Sequence, residues 1–298
     1  MTEVLQQLSD ALAGAVEATS PGIVRVEGRR RLPGTGIVWS ADGVIVTAHH
    51  IIERNENIRV GLHDGDTRQA TLGGRDPNTD LAVLRVEGGL TPPNWADNDD
   101  LKVGHLVLAL GRPGEAVQAT LGVVSALHNE HRGRRKRRSA ENLIQTDVLM
   151  YPGFSGGPLV DAGGVVRGLN TSGLSRSSSL AIPAATVRGV VEALLSHGKV
   201  RRGYLGIGAQ PIRLAAAISE QAGQEIGLML VSVEAGSPAE QAGLMQGDIL
   251  IGVDGEPVQV IDELLTSLGS DKVGDAVTVR IVRGGQIQDV SVTVAERE

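Results

Sequence analysis

Gly153-Phe154-Ser155-Gly156-Gly157-Pro158 sets one serine in a turn bounded by glycines. Acyl transfer by a serine needs an exposed hydroxyl and two backbone N–H groups aimed at the oxygen that gains charge. Glycines on both sides allow a sharp turn and a close approach by a substrate carbonyl. The turn Gly153-Phe154-Ser155 would form that oxyanion hole, with the N–H groups of Gly153 and Ser155 as donors. Taken alone, the segment reads as an ordinary glycine-rich turn.

Two further segments could supply the partners a serine nucleophile needs. Val44-Ile45-Val46-Thr47-Ala48-His49-His50 places two histidines straight after an apolar run. A neutral imidazole at the end of a core strand is held rigidly and can take a serine proton near neutral pH. Ring chemistry does not choose between His49 and His50. In Asp76-Pro77-Asn78-Thr79-Asp80-Leu81-Ala82-Val83-Leu84, Asp80 stands where a turn enters a buried strand. A carboxylate there loses solvent and needs a partner, and a histidine N–H would satisfy it and fix the ring tautomer. Asp76 reads as a cap of its own turn. The chain order is His, Asp, Ser, one of the known orders of a serine hydrolase triad.

These residues must be positioned by short strands. Residues 4–18 are predicted as an amphipathic helix with Leu5, Leu8 and Leu12 on one face, ended by Pro21. Short β-rich runs follow: Ile23–Val26, Val44–Thr47, Ile58–Leu62, Leu81–Val86, Leu106–Leu110, Gln118–Leu127, Leu143–Thr146 and Val165–Leu169. Asp42-Gly43, Gly73-Gly74, Arg112-Pro113-Gly114 and Gly163-Gly164 punctuate them as turns. Such spacing indicates a sandwich or barrel rather than βαβ units. The helical period returns over 184–197, with Gly198 as its cap. Lys199-Val200-Arg201-Arg202-Gly203 reads as a linker. Beyond it come strand signals at Leu228–Val233, Ile249–Val253, Ala276–Val282 and Ile287–Val294, and helical patches at Pro238–Ala242 and Ile261–Leu268. Asp254-Gly255 reads as a tight hairpin turn.

Composition narrows the class. The 298 residues favour two domains, and 41% apolar content with 2% aromatic predicts a core of Val, Leu, Ile and Ala. There is no cysteine, so neither a disulfide nor thiol chemistry is available. A net charge of −7 argues against a nucleic-acid-binding chain. No His/Cys/Asp cluster has metal-ligand spacing, so neither metal nor cofactor is implied. No apolar run reaches the length of a membrane span. The start Met1-Thr2-Glu3-Val4 lacks the basic and apolar pattern of a secretory signal, which leaves a cytoplasmic location or a removed signal.

Thr47-x-x-His50-Ile51-Ile52, Asp76-Pro77-x-Thr79-Asp80-Leu81-Ala82-Val83-Leu84 and Gly153-x-Ser155-Gly156-Gly157-Pro158-Leu159 together resemble the three signature segments of the HtrA/DegP serine protease family. Gly34-Thr35-Gly36-Ile37-Val38 and Ile144-Gln145-Thr146-Asp147 resemble that family as well. The resemblance selects His50 as the base, giving His50, Asp80 and Ser155 as the triad. It implies a mainly β fold: two six-stranded trypsin-like β-barrels, then a small PDZ domain of β-sandwich plus two helices. The expected organisation is residues 1–20 as an N-terminal helix, 21–200 as protease and 201–298 as PDZ. The implied activity is ATP-independent cleavage of unfolded or damaged proteins. The loop 171–179 would border the specificity pocket; it holds no acidic residue, which points to cleavage after small aliphatic residues. The chain departs from the family at Phe154 and Ala48, where Asn is usual. Phe154 and Tyr151 would shape the pocket or close it at rest.

Arg202-Gly203-Tyr204-Leu205-Gly206-Ile207 resembles the carboxylate-binding loop of HtrA-type PDZ domains. The N–H groups of Leu205, Gly206 and Ile207, beside Tyr204, would hold a peptide C-terminus. The basic run Arg132, Arg134, Arg135, Lys136, Arg137 and Arg138 would be the family's regulatory loop, or a solvated loop without a role. The family also implies a homotrimer and an extracytoplasmic location. The alternative function is a latent or chaperone-like peptide-binding scaffold on the same fold.

Overall fold

The computed structural model describes residues 2–30, 32–127, 143–175, 177–269 and 272–296. The chain divides into two compact units, Met1–Val200 and Arg201–Glu298.

In the first unit, helix α1 (Thr2–Thr19) leads into β1 (Ile23–Glu27), β2 (Gly34–Val38), β3 (Val44–Ala48), β4 (Ile58–Gly61), β5 (Thr67–Asp76) and β6 (Leu81–Arg85). These close into an antiparallel barrel in the order β1-β2-β3-β6-β5-β4. A second barrel uses β7 (Leu106–Gly111), β8 (Gln118–Leu127), β9 (Ile144–Thr146), β10 (Pro158–Asp161), β11 (Val166–Thr171) and β12 (Ser179–Pro183), closed as β10-β11-β12-β9-β8-β7. Helix α2 (Ala184–His197) ends at Gly198, whose left-handed φ of 70° lets its N–H cap Leu194 O.

Every residue of β2 and β3 is buried. These strands lie between the barrel interior and the packing against the second barrel, which explains their lack of polar alternation. Val24, Ile37, Ile45, Leu84 and Ile58 of the first barrel share one core with Leu110, Val160 and Leu169 of the second. Each such side chain contributes ~1.5–3 kcal/mol on burial. On α1, Leu12 and Val16 pack on this core and Ala15 is buried, while Val4, Leu5 and Leu8 remain exposed. Thr19 Oγ1 anchors the helix end to Gly164 O at 3.2 Å.

Several strands left no signal in the sequence. Gly73-Gly74, expected as a turn, is instead a bulge inside β5, where the register against β6 slips between Leu72 and Gly74. A mixed polar sequence around two glycines hid that ten-residue strand. β2, β10 and β12 are short and rich in glycine, proline or serine.

The second unit contains β13 (Gly203–Tyr204), β14 (Ile207–Arg213), α3 (Ala216–Ala222), β15 (Ile226–Val233), α4 (Pro238–Gln241), β16 (Ile249–Val253), β17 (Glu256–Pro257), α5 (Ile261–Ser267), β18 (Ala276–Arg283), β19 (Gln286–Thr293) and β20 (Ala295–Glu296). The main sheet runs β14-β15-β16-β18-β19, with β17 on β16 and a separate β13–β20 ribbon. Asp254 and Gly255 both have positive φ and turn β16 into β17. Among the described residues the unit has three helices rather than two. α3 was illegible because it has no buried residue of its own; Ile218 and Ala222 pack only partly against Leu214, Ile251 and Val282. No helix among the described residues is long and apolar enough to cross a membrane.

Candidate active site

β3 pairs with β6 so that Ala48 faces Leu81. The residues just beyond one strand therefore meet those just before the other. His49 N donates to Asp80 O at 2.9 Å, and His49–Ile51 forms one tight helical turn that aims His50 back at Asp80. Asp80 has φ of +57°, a left-handed conformation that aspartate tolerates better than most residues and that recurs at functional sites.

The Asp80 carboxylate is almost fully buried and takes several hydrogen bonds. His50 Nδ1 lies 2.8 Å from Oδ2 and 3.0 Å from Oδ1, and His50 N donates to Oδ1 at 3.0 Å. Thr171 Oγ1 donates to Oδ2. Burial by itself would raise the carboxyl pKa. The bonds from His50 and Thr171, with the imidazole charge, outweigh it and hold Asp80 below the ordinary aspartate value. With Nδ1–H directed at Asp80, the neutral ring keeps its lone pair on Nε2, the form a general base requires. His49 makes no such bond. Its Nδ1 is buried without a partner, and burial, then the nearby Arg75 charge, lower its pKa.

The serine turn belongs to the second barrel but is fastened to the first. Thr35, on β2, is the fastening point. Its N donates to Ser155 O at 3.1 Å and its Oγ1 to Gly153 O at 2.7 Å. The same hydroxyl accepts Arg112 N at 2.7 Å, and Thr35 O accepts Thr47 Oγ1 at 2.6 Å. Gly156 has φ of +87°, and a Cβ there would collide with Thr35 O and Thr47 Oγ1. Only glycine fits both the conformation and the space.

Within the turn, the N–H groups of Gly153 and Ser155 donate no hydrogen bond among the described residues. The N–H of Phe154, expected as part of the oxyanion site, is committed to Tyr151 O at 3.0 Å. Phe154 acts instead through its ring. Fully buried among Val107, Ala109, Val124, Ile144 and Leu159, it anchors the turn from below. Tyr151 packs edge-on against it at 5.6 Å and stays about half exposed.

Residues 171–173, leaving β11, touch all of these groups. Thr171 bonds Asp80. Ser172 Oγ lies 2.9 Å from Ser155 Oγ, and Ser172 N donates to the same oxygen at 3.2 Å. A Cβ on Gly173 would stand 2.5 Å from Asp80 Oδ2 and 2.8 Å from His50 Nδ1, so glycine is required there. The structure thus joins His50 to Asp80 directly and Ser155 to the same strand end through Ser172. It shows no hydrogen bond between Ser155 and His50. Sequence reasoning passed over Thr35, Thr171 and Ser172 as site residues. Thr35 lay within a noted motif and the other two in the loop assigned to the pocket.

In the second unit, Leu205 is buried and Gly206 has φ of +79°. Their carbonyls accept Ala239 N at 2.9 Å and Glu234 N at 2.8 Å, while their own N–H groups donate to nothing among the described residues. Tyr204 OH donates to Glu234 Oε2 at 2.6 Å. Ile207 opens β14, an edge strand that α5 packs beside. The basic run 132–138 lies outside the described residues.

Two closed barrels, with a His–Asp pair on one and a glycine-bounded serine on the other, define a trypsin-like hydrolase architecture. A trypsin-like peptidase domain matches residues 34–169, and a PDZ domain matches residues 203–294. The chain is 36% identical over 281 residues to a probable periplasmic serine endoprotease DegP-like of Chlamydia trachomatis, covering 91% of this chain and 56% of that one. It is 37% identical over 281 residues to Protease Do-like 1, chloroplastic, of Arabidopsis thaliana, covering 88% and 63%. The solved serine endoprotease from Yersinia pestis superimposes with a TM-score of 0.80 at 31% identity, over 96% of this chain and 98% of that one. An HtrA-type protease AlgW with tripeptide gives 0.81 at 30% identity, over 96% and 97%. The chain belongs to the HtrA/DegP-like family of trypsin-like serine proteases and carries a PDZ domain. It spans little more than half the length of the curated relatives it matches, 56% in the first case.

Proposed function

We propose that this chain is an ATP-independent serine endopeptidase acting on unfolded or damaged polypeptides. Ser155 Oγ attacks the scissile carbonyl while His50 Nε2 takes its proton. Asp80 holds the imidazole and stabilises the imidazolium that forms. The N–H groups of Gly153 and Ser155 bind the oxyanion of the tetrahedral intermediate. His50 then gives the proton to the leaving amine, and water resolves the acyl-enzyme through the same base. The bonding of His50 Nδ1 to the buried Asp80 carboxylate carries this reading, because it leaves Nε2 as the ring's acceptor.

The serine-rich loop after β11 holds no acidic residue, which supports cleavage after small aliphatic residues. The unbonded N–H groups of Leu205 and Gly206, with Ile207 opening a free strand edge, support capture of peptide C-termini for tethering or activation. The exposed Val4, Leu5 and Leu8 of α1 fit a homotrimer contact, and kinship with probable periplasmic relatives supports an extracytoplasmic location.

One observation favours a second reading, a latent or chaperone-like binder: Ser155 Oγ rests on Ser172 rather than on His50. Degradation of casein without ATP or metal separates the two. Cleavage by the wild type, lost in Ser155→Ala, is the expected result. No cleavage by either favours the second reading. Hydrophobic C-terminal peptides then distinguish an enzyme they switch on from a scaffold they merely occupy.

A further inference from the structure

Ser155 has its hydroxyl engaged twice by one residue. Ser172 Oγ stands 2.9 Å away and Ser172 N donates at 3.2 Å. Ser155 is 6% exposed, whereas Ser172 lies at the surface, so the buried hydroxyl meets its partner from the solvent side. A serine hydroxyl has one proton to donate. When Ser155 gives that proton to Ser172, it has none to give to His50. Ser172 is held in place in turn: Thr171 before it is bonded to Asp80, and Gly173 after it donates its N–H to Thr171 Oγ1 at 2.9 Å. The backbone that carries the exposed Ser172 hydroxyl is therefore held beside Ser155.

We infer that Ser172 is a positioning residue that restrains the nucleophile, holding the Ser155 hydroxyl away from His50 until it rotates to attack. The inference rests on Ser155 being the nucleophile. No group in the contact carries charge, so its strength is that of a neutral hydrogen bond. Its removal is expected to raise the reactivity of Ser155 about three- to ten-fold. The backbone N–H of Ser172 persists in every variant, so only the hydroxyl is under test.

The experiment measures the second-order rate at which a small fluorophosphonate modifies the full chain. Such a reagent needs the nucleophile and base but few substrate subsites. Ser155→Ala should not react, which checks the nucleophile itself. Ser172→Ala should react about three- to ten-fold faster than wild type, and Ser172→Thr, which keeps a hydroxyl, should stay near the wild-type rate. The ratio of Ser172→Ala to wild type should be flat from about pH 6 to 9, because a serine hydroxyl does not titrate there while a displaced His50 would shift the profile. Ser172→Gly offers a second hydroxyl-free variant should the alanine form unfold. If wild type reacts at Ser155 and neither hydroxyl-free variant is faster while both melt normally, the restraint does not exist. If no form reacts at Ser155, the nucleophile assignment falls and this inference with it.

Discussion

Asp80 combines burial, a left-handed backbone and a carboxylate bonded by both His50 and Thr171. Its pKa is depressed in the folded state, so its contribution to stability is complete above the unfolded value. That contribution is lost as pH falls through the lower folded value, below about pH 4. Asp80→Asn has no carboxyl to titrate there. The gap in melting temperature between wild type and Asp80→Asn is expected to narrow as the pH drops from about 6 to 3, measured by thermal melts. At neutral pH the same variant should lower kcat by ~10³–10⁴, because the amide no longer holds His50 in the tautomer that accepts a proton. A wild-type rate in Asp80→Asn would remove Asp80 from the mechanism.

Among the elements, β2 has the largest consequence for the serine turn. Thr35 ties it to Gly153, Ser155, Arg112 and Thr47, and so joins the two barrels at the serine turn, the proposed oxyanion site. Thr35→Val keeps the shape and removes the hydroxyl. Gly153 O and Arg112 N then lose partners in a buried setting, at about 1–3 kcal/mol each before relaxation. The expected result is a lower unfolding midpoint in denaturant and a 10- to 100-fold loss of activity, roughly what a misplaced oxyanion donor costs. A stable but inactive variant would assign Thr35 to positioning alone; unchanged stability and activity would contradict the role given to it. Neighbouring elements differed in legibility. β8 and β16 have the ends their sequences predict, as does α2 with its Gly198 cap. β5 and α3 were hidden, one by a glycine bulge and the other by a helix with no buried face.

At the scale of the whole molecule, each unit has a buried apolar core of its own among the described residues. The core of Met1–Val200 includes Ile23, Ile45, Leu110 and Val187, while Leu205, Leu228, Leu250 and Val279 form another. Each unit thus has the buried surface to fold alone. A chain ending at Val200 is expected to give a cooperative melt and to keep its reaction with a fluorophosphonate at Ser155. Loss of folding in that truncation would show that the division of the cores does not make two independent units.

The sequence by itself determined the strand-rich plan, the order His, Asp, Ser and the two-part organisation. Those features follow from local patterning: apolar runs mark what is buried, and glycine and proline mark where the chain turns. It left His49 and His50 chemically equal until a family resemblance separated them. Only the tertiary structure decided the partners. The pairing of β3 with β6 set the ring of His50, and not that of His49, against the Asp80 carboxylate. Packing of one barrel on the other carried Thr171 to a carboxylate 91 residues away and Thr35 to a carbonyl 118 residues away. The fold also placed Ser172 on the Ser155 hydroxyl. Hydrogen bonds over such separations leave no periodicity in the chain, because they are fixed by how closed sheets meet and not by the residues beside them.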